Sequence, residues 1–290
     1  MVMRTRPLLA RRLNLALLAG TAVILLEDVP AKAATSIITC TYAITATGSY
    51  EVDQNLSCPG EDGIDIQVSH VHLNLNGHII TGDGTHNGIL VEPASGPTGA
   101  LTDIHIVGPG LVQKFGEGIS LNAALADSEV RNVTSASNGD GIVAELTGSL
   151  SGLHLTENVA VSNAGQGILL WHSTDGQLQN NDATFNGSDG FFLVAGSGND
   201  LHANRAEGNG AYGILIDGGS TNNDIDGNAT NGNDLYGIVV NGGSTGEDIR
   251  NNHSTGNGVV DMLDGNTSPP CDSNNWHNNT FFTSNLSCIH

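Results

Sequence analysis

Hydrophobic and polar positions along this chain follow a short repeated unit. A glycine is followed by an apolar residue, any residue and a second apolar residue, and this unit recurs every 23 to 30 residues. Its eight copies begin at Gly63, Gly88, Gly118, Gly141, Gly167, Gly190, Gly213 and Gly237. Because the apolar runs are short, β-branched and bounded by Gly, Asn, Asp and Ser, they predict strands and exclude helices. A period in this range predicts a solenoid, in which each coil of chain, here called a rung, stacks on the one before.

The alternation within each unit predicts which side chains face the interior. Residues one and three positions after the glycine share one face of a strand, and we expect that face to be buried. These positions hold Ile64/Ile66, Ile89/Val91, Ile119/Leu121, Ile142/Ala144, Ile168/Leu170, Phe191/Leu193, Ile214/Ile216 and Ile238/Val240.

Asparagines recur in register with the glycines and form two columns. The first, nine residues before the glycine, holds Asn132, Asn158, Asn181, Asn204 and Asn228, and Asn252 continues it. The second, four residues before, holds Asn163, Asn186, Asn209 and Asn233, and Asn257 continues it. Equivalent residues of successive rungs lie about 4.8 Å apart. Stacked amides at that spacing can donate and accept hydrogen bonds along the column.

The glycine units, the asparagine columns and the run Leu73–Ile80 resemble the pectate-lyase-like superfamily of right-handed parallel β-helices. The resemblance covers residues from about 60 to 282. It implies an all-β fold, a right-handed single-stranded parallel β-helix of about nine rungs. It implies no single activity, because that superfamily holds polysaccharide lyases, polygalacturonases, mannuronan epimerases, copper-site maturation proteins and non-catalytic surface proteins.

The first 33 residues have the layout of a signal peptide. Four arginines precede an apolar run from Leu15 to Leu26, and Ala31–Ala33 is a small-x-small cleavage pattern. The run is too short to cross a bilayer of about 30 Å. We therefore predict a secreted or periplasmic protein with no membrane span after cleavage, exported by either the general or the twin-arginine route.

Both ends of the repeat region are predicted to be capped, and each cap is predicted to contain a disulfide. Residues 61–263 form the β-helix, with an N-terminal cap at 34–60 and a C-terminal cap at 264–290, because solenoid ends expose unpaired strand edges. Each cap holds two cysteines, Cys40 and Cys58 in one and Cys271 and Cys288 in the other. Nine rungs separate the ends by roughly 40 Å, whereas a disulfide needs Cα atoms within about 7 Å. Both disulfides are therefore predicted within a cap.

The net charge of the chain limits the kinds of partner that the protein can bind. The chain has 9 Lys+Arg against 30 Asp+Glu, a net charge of −21, which excludes a nucleic-acid binder. Removing the signal leaves 4 basic and 28 acidic residues, a net of −24. Such a surface repels polyanions unless Ca²⁺ bridges them, so a neutral glycan is expected. No cofactor is predicted, with Ca²⁺ as the one alternative.

Motifs of the catalytic relatives are missing. The Asn-x-Asp, Asp-Asp, Gly-His-Gly and Arg-x-Lys set that polygalacturonases carry is not present, nor is the Asp-Pro-His-Asp run of mannuronan epimerases. Pectate lyases neutralise their substrate with an arginine, and the few cations left here are not clustered in sequence. No catalytic residue is assigned, and whether the protein is an enzyme stays open.

Two outward columns hold the candidate substrate-binding residues. The position before the glycine gives Asp189, Tyr212 and Tyr236, and the position four after it gives Glu145, Trp171 and Asp217. Aromatic faces beside acids bind sugar rings by stacking and hydrogen bonding, so a polysaccharide partner is predicted. The alternative is a solvated acidic edge on which the aromatic residues only pack.

A third outward column, two residues after the glycine, is apolar. It holds Val143, Leu169, Phe192, Leu215 and Val239. An exposed apolar stripe of this length usually marks an interface. We expect loops or a second copy of the chain to cover it, so self-association through this stripe is predicted.

Histidines and one cationic group support further alternatives. His70 and His72 lie two apart, with His105 near the next rung, and such a trio has Cu- or Zn-binding chemistry, although no metal site is assigned. Arg205 shares a column with Asp182 and His253. Three hypotheses follow: a protein that recognises polysaccharide along its lateral face, a carbohydrate-active enzyme (lyase, hydrolase or epimerase) with an unusual site, and a periplasmic metal-handling accessory protein.

Overall fold

The structure is a computed structural model that describes residues 10–18, 21–29, 33–144, 150–266, 271 and 273–290, with the backbone alone for residues 10–29. The chain divides into two units, one ending at Thr35 and one from Ser36 to His290. In the first unit, strands Ala10–Leu18 and Thr21–Val29 pair antiparallel. This hairpin coincides with the predicted signal peptide, whose cleavage stays a prediction.

The second unit is a parallel β-helix. Each rung passes in turn through a first, a second and a third sheet, and each strand pairs in parallel with its equivalents in the neighbouring rungs. The glycine units lie on the first sheet, whose strands are Tyr42–Ile44, Ile64–Ile66, Asn87–Val91, Glu117–Leu121, Asp140–Ala144, Ile168–Trp171, Phe191–Val194, Tyr212–Asp217, Tyr236–Val240 and Val260–Asp264.

The other sheets have shorter strands. The second sheet holds Thr35–Ile37, Gly48–Val52, Val71–Asn74, Ile104–Val107, Glu129–Arg131, His154–Thr156, Gln177–Gln179, Asp200–His202, Asp224–Asp226, Asp248–Arg250 and Asn275–His277. The third holds Leu56–Ser57, Ile79–Thr81, Leu111–Gln113, Thr134–Ala136, Val159–Val161 and Asp182–Thr184, and single bridges continue it to the pair His253–Ser254 and Thr280–Phe281. A short sheet between the first and second holds Ala100–Thr102, Ala124–Ala126, Leu150–Ser151 and Ser173–Thr174.

The parallel β-helix is therefore confirmed, with about ten rungs in place of about nine. The additional rung begins with Tyr42–Ile44, which pairs with Ile64–Ile66 inside the region predicted as the N-terminal cap. Counting glycines missed it because Thr41, with φ 50°, stands where Gly63 stands one rung later.

The interior is as the alternation predicted. Every residue expected to face inward on the first sheet is buried, and none exposes more than 2% of its surface. Burying one such aliphatic side chain stabilises the fold by about 1.5–3 kcal/mol relative to leaving it in water. Layers of small aliphatic residues, repeated rung after rung, therefore make the core.

The rung glycines are needed because strands of adjacent rungs approach closely, not because of an unusual backbone angle. A Cβ atom on Gly141 would lie 2.3 Å from the carbonyl oxygen of Gly167 and 3.1 Å from the Cβ of Ala160. No L-side chain fits at such a distance without moving backbone.

The first asparagine column forms a buried hydrogen-bonded ladder. From Asn158 to Asn252, each Nδ2 donates to the Oδ1 of the next asparagine at 3.0 Å, and the ladder ends on Asn279. The same Oδ1 also accepts a backbone N–H of the preceding rung. Asn132 does not belong to it: that residue is exposed with φ 56°, because the register places Val133, not Asn132, opposite Asn158.

The second column forms an equivalent ladder from Asn163 to Asn257, and Asn138 extends it by one rung. It ends on a carboxylate, since Asn257 Nδ2 donates to Asp261 Oδ1 at 2.9 Å. Burial by itself would raise the pKa of Asp261, but the bonds it accepts from Asn257, Phe282 and Thr283 outweigh that effect and lower the pKa.

A third ladder was not predicted. It runs through Asn199, Asn223, Glu247 and Asn274, so a glutamate occupies a position that asparagine fills in the neighbouring rungs. Glu247 is fully buried, its Oε2 accepts the backbone N–H of Asn223 at 2.8 Å, and its Oε1 has no partner among the described residues. Burial raises the pKa of Glu247 to about 7.

Both predicted disulfides are present. Cys40 bonds Cys58 with Cα atoms 5.5 Å apart, and Cys271 bonds Cys288 with Cα atoms 6.5 Å apart. Among the described residues, no helix is long and apolar enough to cross a membrane.

Candidate functional site

The outer face of the first sheet carries three columns of side chains in register. The middle column holds the five apolar residues of the predicted stripe, and the structure buries four of them, with Val143, Leu169, Leu215 and Val239 exposing 3–7% of their surface. Phe192 is half-buried. The stripe lies between the two other outward columns. The surface that the three columns form is here called the sheet groove, with the stripe as its floor and the two other columns as its walls. So little of the floor is exposed that most of its area is already covered within one chain, and self-association through it stays a prediction.

One wall of the sheet groove carries two stacked tyrosines. Tyr212 and Tyr236 are register partners on adjacent rungs, and their rings lie 5.4 Å apart at 30°. Both tyrosines are partly exposed. Burial, followed by the nearby Asp189 and Tyr236, raises the pKa of Tyr212.

Asp189 lies one rung before the tyrosines on the same wall. It exposes 4% of its surface, and its Oδ1 accepts the backbone N–H of Tyr212 at 3.1 Å. Asp62 and Asp140 accept the equivalent N–H of the next rung, so these aspartates also connect rungs of the wall. Burial raises the pKa of Asp189 to about 6, which places its titration near neutral pH.

The other wall holds Trp171 and Asp217. Trp171 is 40% exposed and pairs with Val194, which pairs in turn with Asp217, so the tryptophan and the aspartate lie two rungs apart in one column. Trp171 also lies beside His172, with ring centroids 6.0 Å apart. Glu145, the sixth predicted residue of the site, lies outside the described residues.

The two walls present their aromatic rings to the same groove at different places. Trp171 is two rungs from Tyr212, about 10 Å along the axis, and the columns are five residues apart, about 16 Å along a strand. A ligand that contacts both must therefore be a chain of several sugar units, not a single sugar.

The described strands of the first sheet carry no cationic side chain. None of the first-sheet strands contains Lys, Arg or His. Of the four cations beyond the predicted signal, Arg131 and Arg250 lie on the second sheet, Arg205 on the third, and Lys114 in a corner after it. The walls of the groove therefore present mainly carboxylates, amides and aromatic rings among the described residues.

The cations of the other two sheets are already paired. Arg250 contacts Asp224, Asp226 and Asp248, the last two at 3.1 Å. Arg205 lies next to Asp182 at 2.9 Å, as its column predicted, and also contacts Glu207 at 2.7 Å. His253 lies two rungs from Arg205, with Ala229 between them, and three rungs from Asp182, so these three groups do not form one site.

The predicted histidine trio is only partly brought together. His105 is the register partner of His72, with rings 6.1 Å apart, while His70 lies in a left-handed corner with φ 60° before the strand. Asp103 joins His70 and His105 with contacts of 2.9 Å. Among the residues that the structure describes, no three His, Cys, Asp or Glu side chains are arranged to hold a metal ion, so this geometry adds no support to the metal hypothesis.

Comparison with known proteins gives the family. The sequence model of the right-handed beta helix region matches residues 117–282, more than half of the chain, and the chain belongs to this family. The match confirms the resemblance found in the repeats and shows that the coil is right-handed. No curated protein matches the chain in sequence.

Solved structures of similar shape include carbohydrate-active proteins. The A-module of the mannuronan C-5 epimerase AlgE6 of Azotobacter vinelandii has a TM-score of 0.49 at 18% identity, over 75% of this chain and 64% of that one. The alpha-1,3-glucanase of Streptomyces thermodiastaticus gives 0.43 at 14%, over 83% and 62%. The tailspike protein 2 of bacteriophage CBA120 gives 0.41 at 15%, over 83% and 42%. This chain spans less than two thirds of each, and at these values the likeness carries no argument about activity.

Proposed function

We propose that this protein is an extracytoplasmic polysaccharide-binding protein that holds a glycan chain in the sheet groove. The observation that carries the proposal is the arrangement of Trp171, Tyr212 and Tyr236, accessible aromatic rings on both walls of a groove with an apolar floor. Such rings stack on the C–H faces of sugars while acids and amides beside them accept hydroxyl hydrogen bonds. The two disulfides and the predicted signal support an extracytoplasmic location.

The electrostatics of the groove support a neutral or cationic glycan over a polyuronate. The groove has carboxylates on both walls, and the described first-sheet strands hold no Lys, Arg or His to pair with a uronate. A polyuronate would therefore be repelled unless Ca²⁺ bridged the two sets of carboxylates, and Ca²⁺ is the only cofactor the proposal leaves room for.

Glycan retention tests the proposal. The protein without residues 1–33 is run through native gels that contain one neutral, one amino or one uronate polysaccharide, with and without Ca²⁺. We expect retention in at least one gel and a loss of about tenfold in affinity for Trp171→Ala or Tyr212→Ala, since an aromatic stack and its burial contribute about 1.4 kcal/mol. Phe185→Ala is the matched control, because Phe185 is 61% exposed outside the groove. Retention by no glycan, or equal losses for all three variants, would contradict the proposal.

One observation favours a second candidate, an enzyme that cleaves or epimerises the bound glycan. Asp189 lies beside Tyr212, and its raised pKa of about 6 gives it the proton affinity of a general acid or base near neutral pH. If this candidate is correct, incubation with the retained glycan releases reducing or unsaturated ends or changes its uronate composition, and Asp189→Asn abolishes the change. Retention without any chemical change leaves the binding function alone.

A further inference from the structure

A recess interrupts the sheet groove in its N-terminal half, four to five rungs before Tyr212. It has a volume of about 220 Å³ and is lined by Glu92, Glu117, Ser120 and Asn122. These residues come from two neighbouring strands, Asn87–Val91 and Glu117–Leu121, and from the positions that follow them. None of them belongs to the aromatic part of the groove.

Ser120 is the residue that marks the recess as a binding site. It stands in the floor column, between Leu90 and Val143 in register, where the later rungs carry apolar side chains. The serine is 7% exposed, and its hydroxyl has no hydrogen-bond partner among the described residues. The hydroxyl is not one of the fully buried unpaired atoms of the described residues, so water reaches it in the free protein, and a ligand hydroxyl can bond it in place of that water.

The rest of the recess is rich in acceptors and negatively charged. Glu117 is half-exposed and forms no hydrogen bond or ion pair with the described residues, while Glu92 accepts a hydrogen bond from Asn122 Nδ2. Because no Lys, Arg or His lies on the first-sheet strands, both carboxylates lack a cationic partner there. The recess therefore suits a ligand that brings donors and a positive charge.

The floor distinguishes a sugar from a bare cation. Leu90 and Val143 flank the hydroxyl of Ser120 with apolar surface. Ca²⁺ takes six to eight oxygen ligands around itself, which such a floor does not supply. An amino sugar has C–H faces for the apolar surface, hydroxyls for Ser120 and Asn122, and an ammonium for the carboxylates.

We propose that this recess binds one unit of a polysaccharide that carries free amino groups, with the sugar ammonium paired to Glu117 and a sugar hydroxyl bonded to Ser120. The inference rests on the proposed function and adds to it the class of glycan. The aromatic walls supply contacts that any sugar chain can make, and the recess supplies the preference.

Titration calorimetry in 0.15 M salt tests the preference. The ligands are glucosamine oligosaccharides, their N-acetylated equivalents of the same length, oligouronates, and CaCl₂ alone. We expect the amino oligosaccharides to bind about tenfold tighter than the acetylated ones, the effect of one hydrogen-bonded ion pair. We expect Glu117→Gln to make the affinities for the amino and the acetylated oligosaccharides equal. Ser120→Ala should lower the affinity for both by about fivefold, the effect of one neutral hydrogen bond.

The control separates the recess from the overall charge of the protein. Glu157→Gln removes the same charge at an exposed residue away from the groove, and we expect it to keep the tenfold ratio. Equal effects of Glu117→Gln and Glu157→Gln would overturn the proposal, since the preference would then come from net charge. Binding of CaCl₂ that Glu117→Gln abolishes, without a sugar preference, would identify a cation site and overturn it as well.

Failure of this inference is distinguishable from failure of the proposed function. If Trp171→Ala weakens glycan binding but amino and acetylated oligosaccharides bind equally, the recess proposal is wrong and the groove proposal stands. If no oligosaccharide binds the unaltered protein, both are wrong.

Discussion

The inner face of the coil and the sheet groove on its outer face treat polar groups in opposite ways. Inside, each ladder amide such as Asn186 bonds the amide of the next rung and a backbone carbonyl. In the groove, Glu117 and Ser120 have no partner among the described residues. Polar groups inside therefore hold the fold together, while those in the groove are free for a ligand. Substitutions on the two faces should separate stability from binding.

The largest effect is expected where a ladder is cut. Asn209→Ala removes the acceptor for the backbone N–H and the Nδ2 of Asn186, and the donor to the carbonyl of Ala183. Each buried group left unpaired costs about 1–3 kcal/mol, so we expect a loss of about 4 kcal/mol in the free energy of unfolding by urea. Asn241→Ala, at an exposed groove residue, should change it by less than about 0.5 kcal/mol. Equal values for the two variants would contradict the distinction between the faces.

The next effect depends on pH and comes from the glutamate in the third ladder. The pKa of Glu247 is about 7 in the fold and 4.5 in its ordinary state. Between these values the folded chain holds a proton that the unfolded chain has lost, so this group makes stability fall as pH rises from about 4.5 to 7, by about 3 kcal/mol in all. Above pH 7 the loss is complete.

Glu247→Gln keeps the shape and removes the titration. Comparing urea unfolding of both proteins at pH 4.5 and pH 8 isolates the contribution of this one group from those of the other carboxylates. We expect the variant to be the more stable protein at pH 8 and the difference to shrink at pH 4.5. If the difference in unfolding free energy between the two proteins does not change with pH, the pKa of Glu247 is not raised by folding, and the carboxylate is ionised in the folded protein.

A smaller effect is expected on the second sheet, where the charges are paired at the surface. Arg250→Ala leaves Asp224, Asp226 and Asp248 next to one another without a cation. Because Arg250 is partly exposed, we expect a loss of about 1 kcal/mol at low salt that shrinks in 1 M NaCl. A loss that salt does not reduce would point to packing of the arginine stem and not to charge.

The smallest effect on stability is expected in the groove itself. Trp171→Ala removes a side chain that is 40% exposed, and the thermal midpoint should stay within about 2 °C of that of the unaltered protein. A large fall in the midpoint would show that the tryptophan supports the fold, and its loss of glycan retention would then have to be interpreted as a folding defect.

Most of the interior could be predicted from the sequence because it is periodic. Strand alternation identified buried residues such as Ile142 and Leu193, and the ladders from Asn158 and Asn163 followed from counting back from each glycine. The disulfides followed from the length of the solenoid. Prediction succeeded wherever successive rungs need the same type of residue at the same position.

Prediction was wrong or incomplete where the period varies or the pattern is short. Asn132 was assigned to a ladder because its rung has a different length, and the rung at Thr41 was missed because it lacks the glycine. The third ladder escaped notice because Glu247 interrupts it after two asparagines. The sequence gives no signal for Ser120, because a serine breaks the apolar pattern of the floor column, and its lack of a partner depends on where its neighbours lie.

In the ladders that begin at Asn158 and Asn163, each amide donates toward its C-terminal neighbour, and this direction determines how such a protein can be lengthened. Between Asn163, Asn186 and Asn209 the spacing is 23 residues each time. Duplicating one 23-residue segment there would insert a rung whose donors and acceptors already match those on either side. The C-terminal end of the second ladder does not share this freedom, because its last donor, Asn257 Nδ2, is received by the carboxylate of Asp261. Evolution and protein engineering can therefore lengthen the groove from the middle by simple duplication, while both ends remain in place.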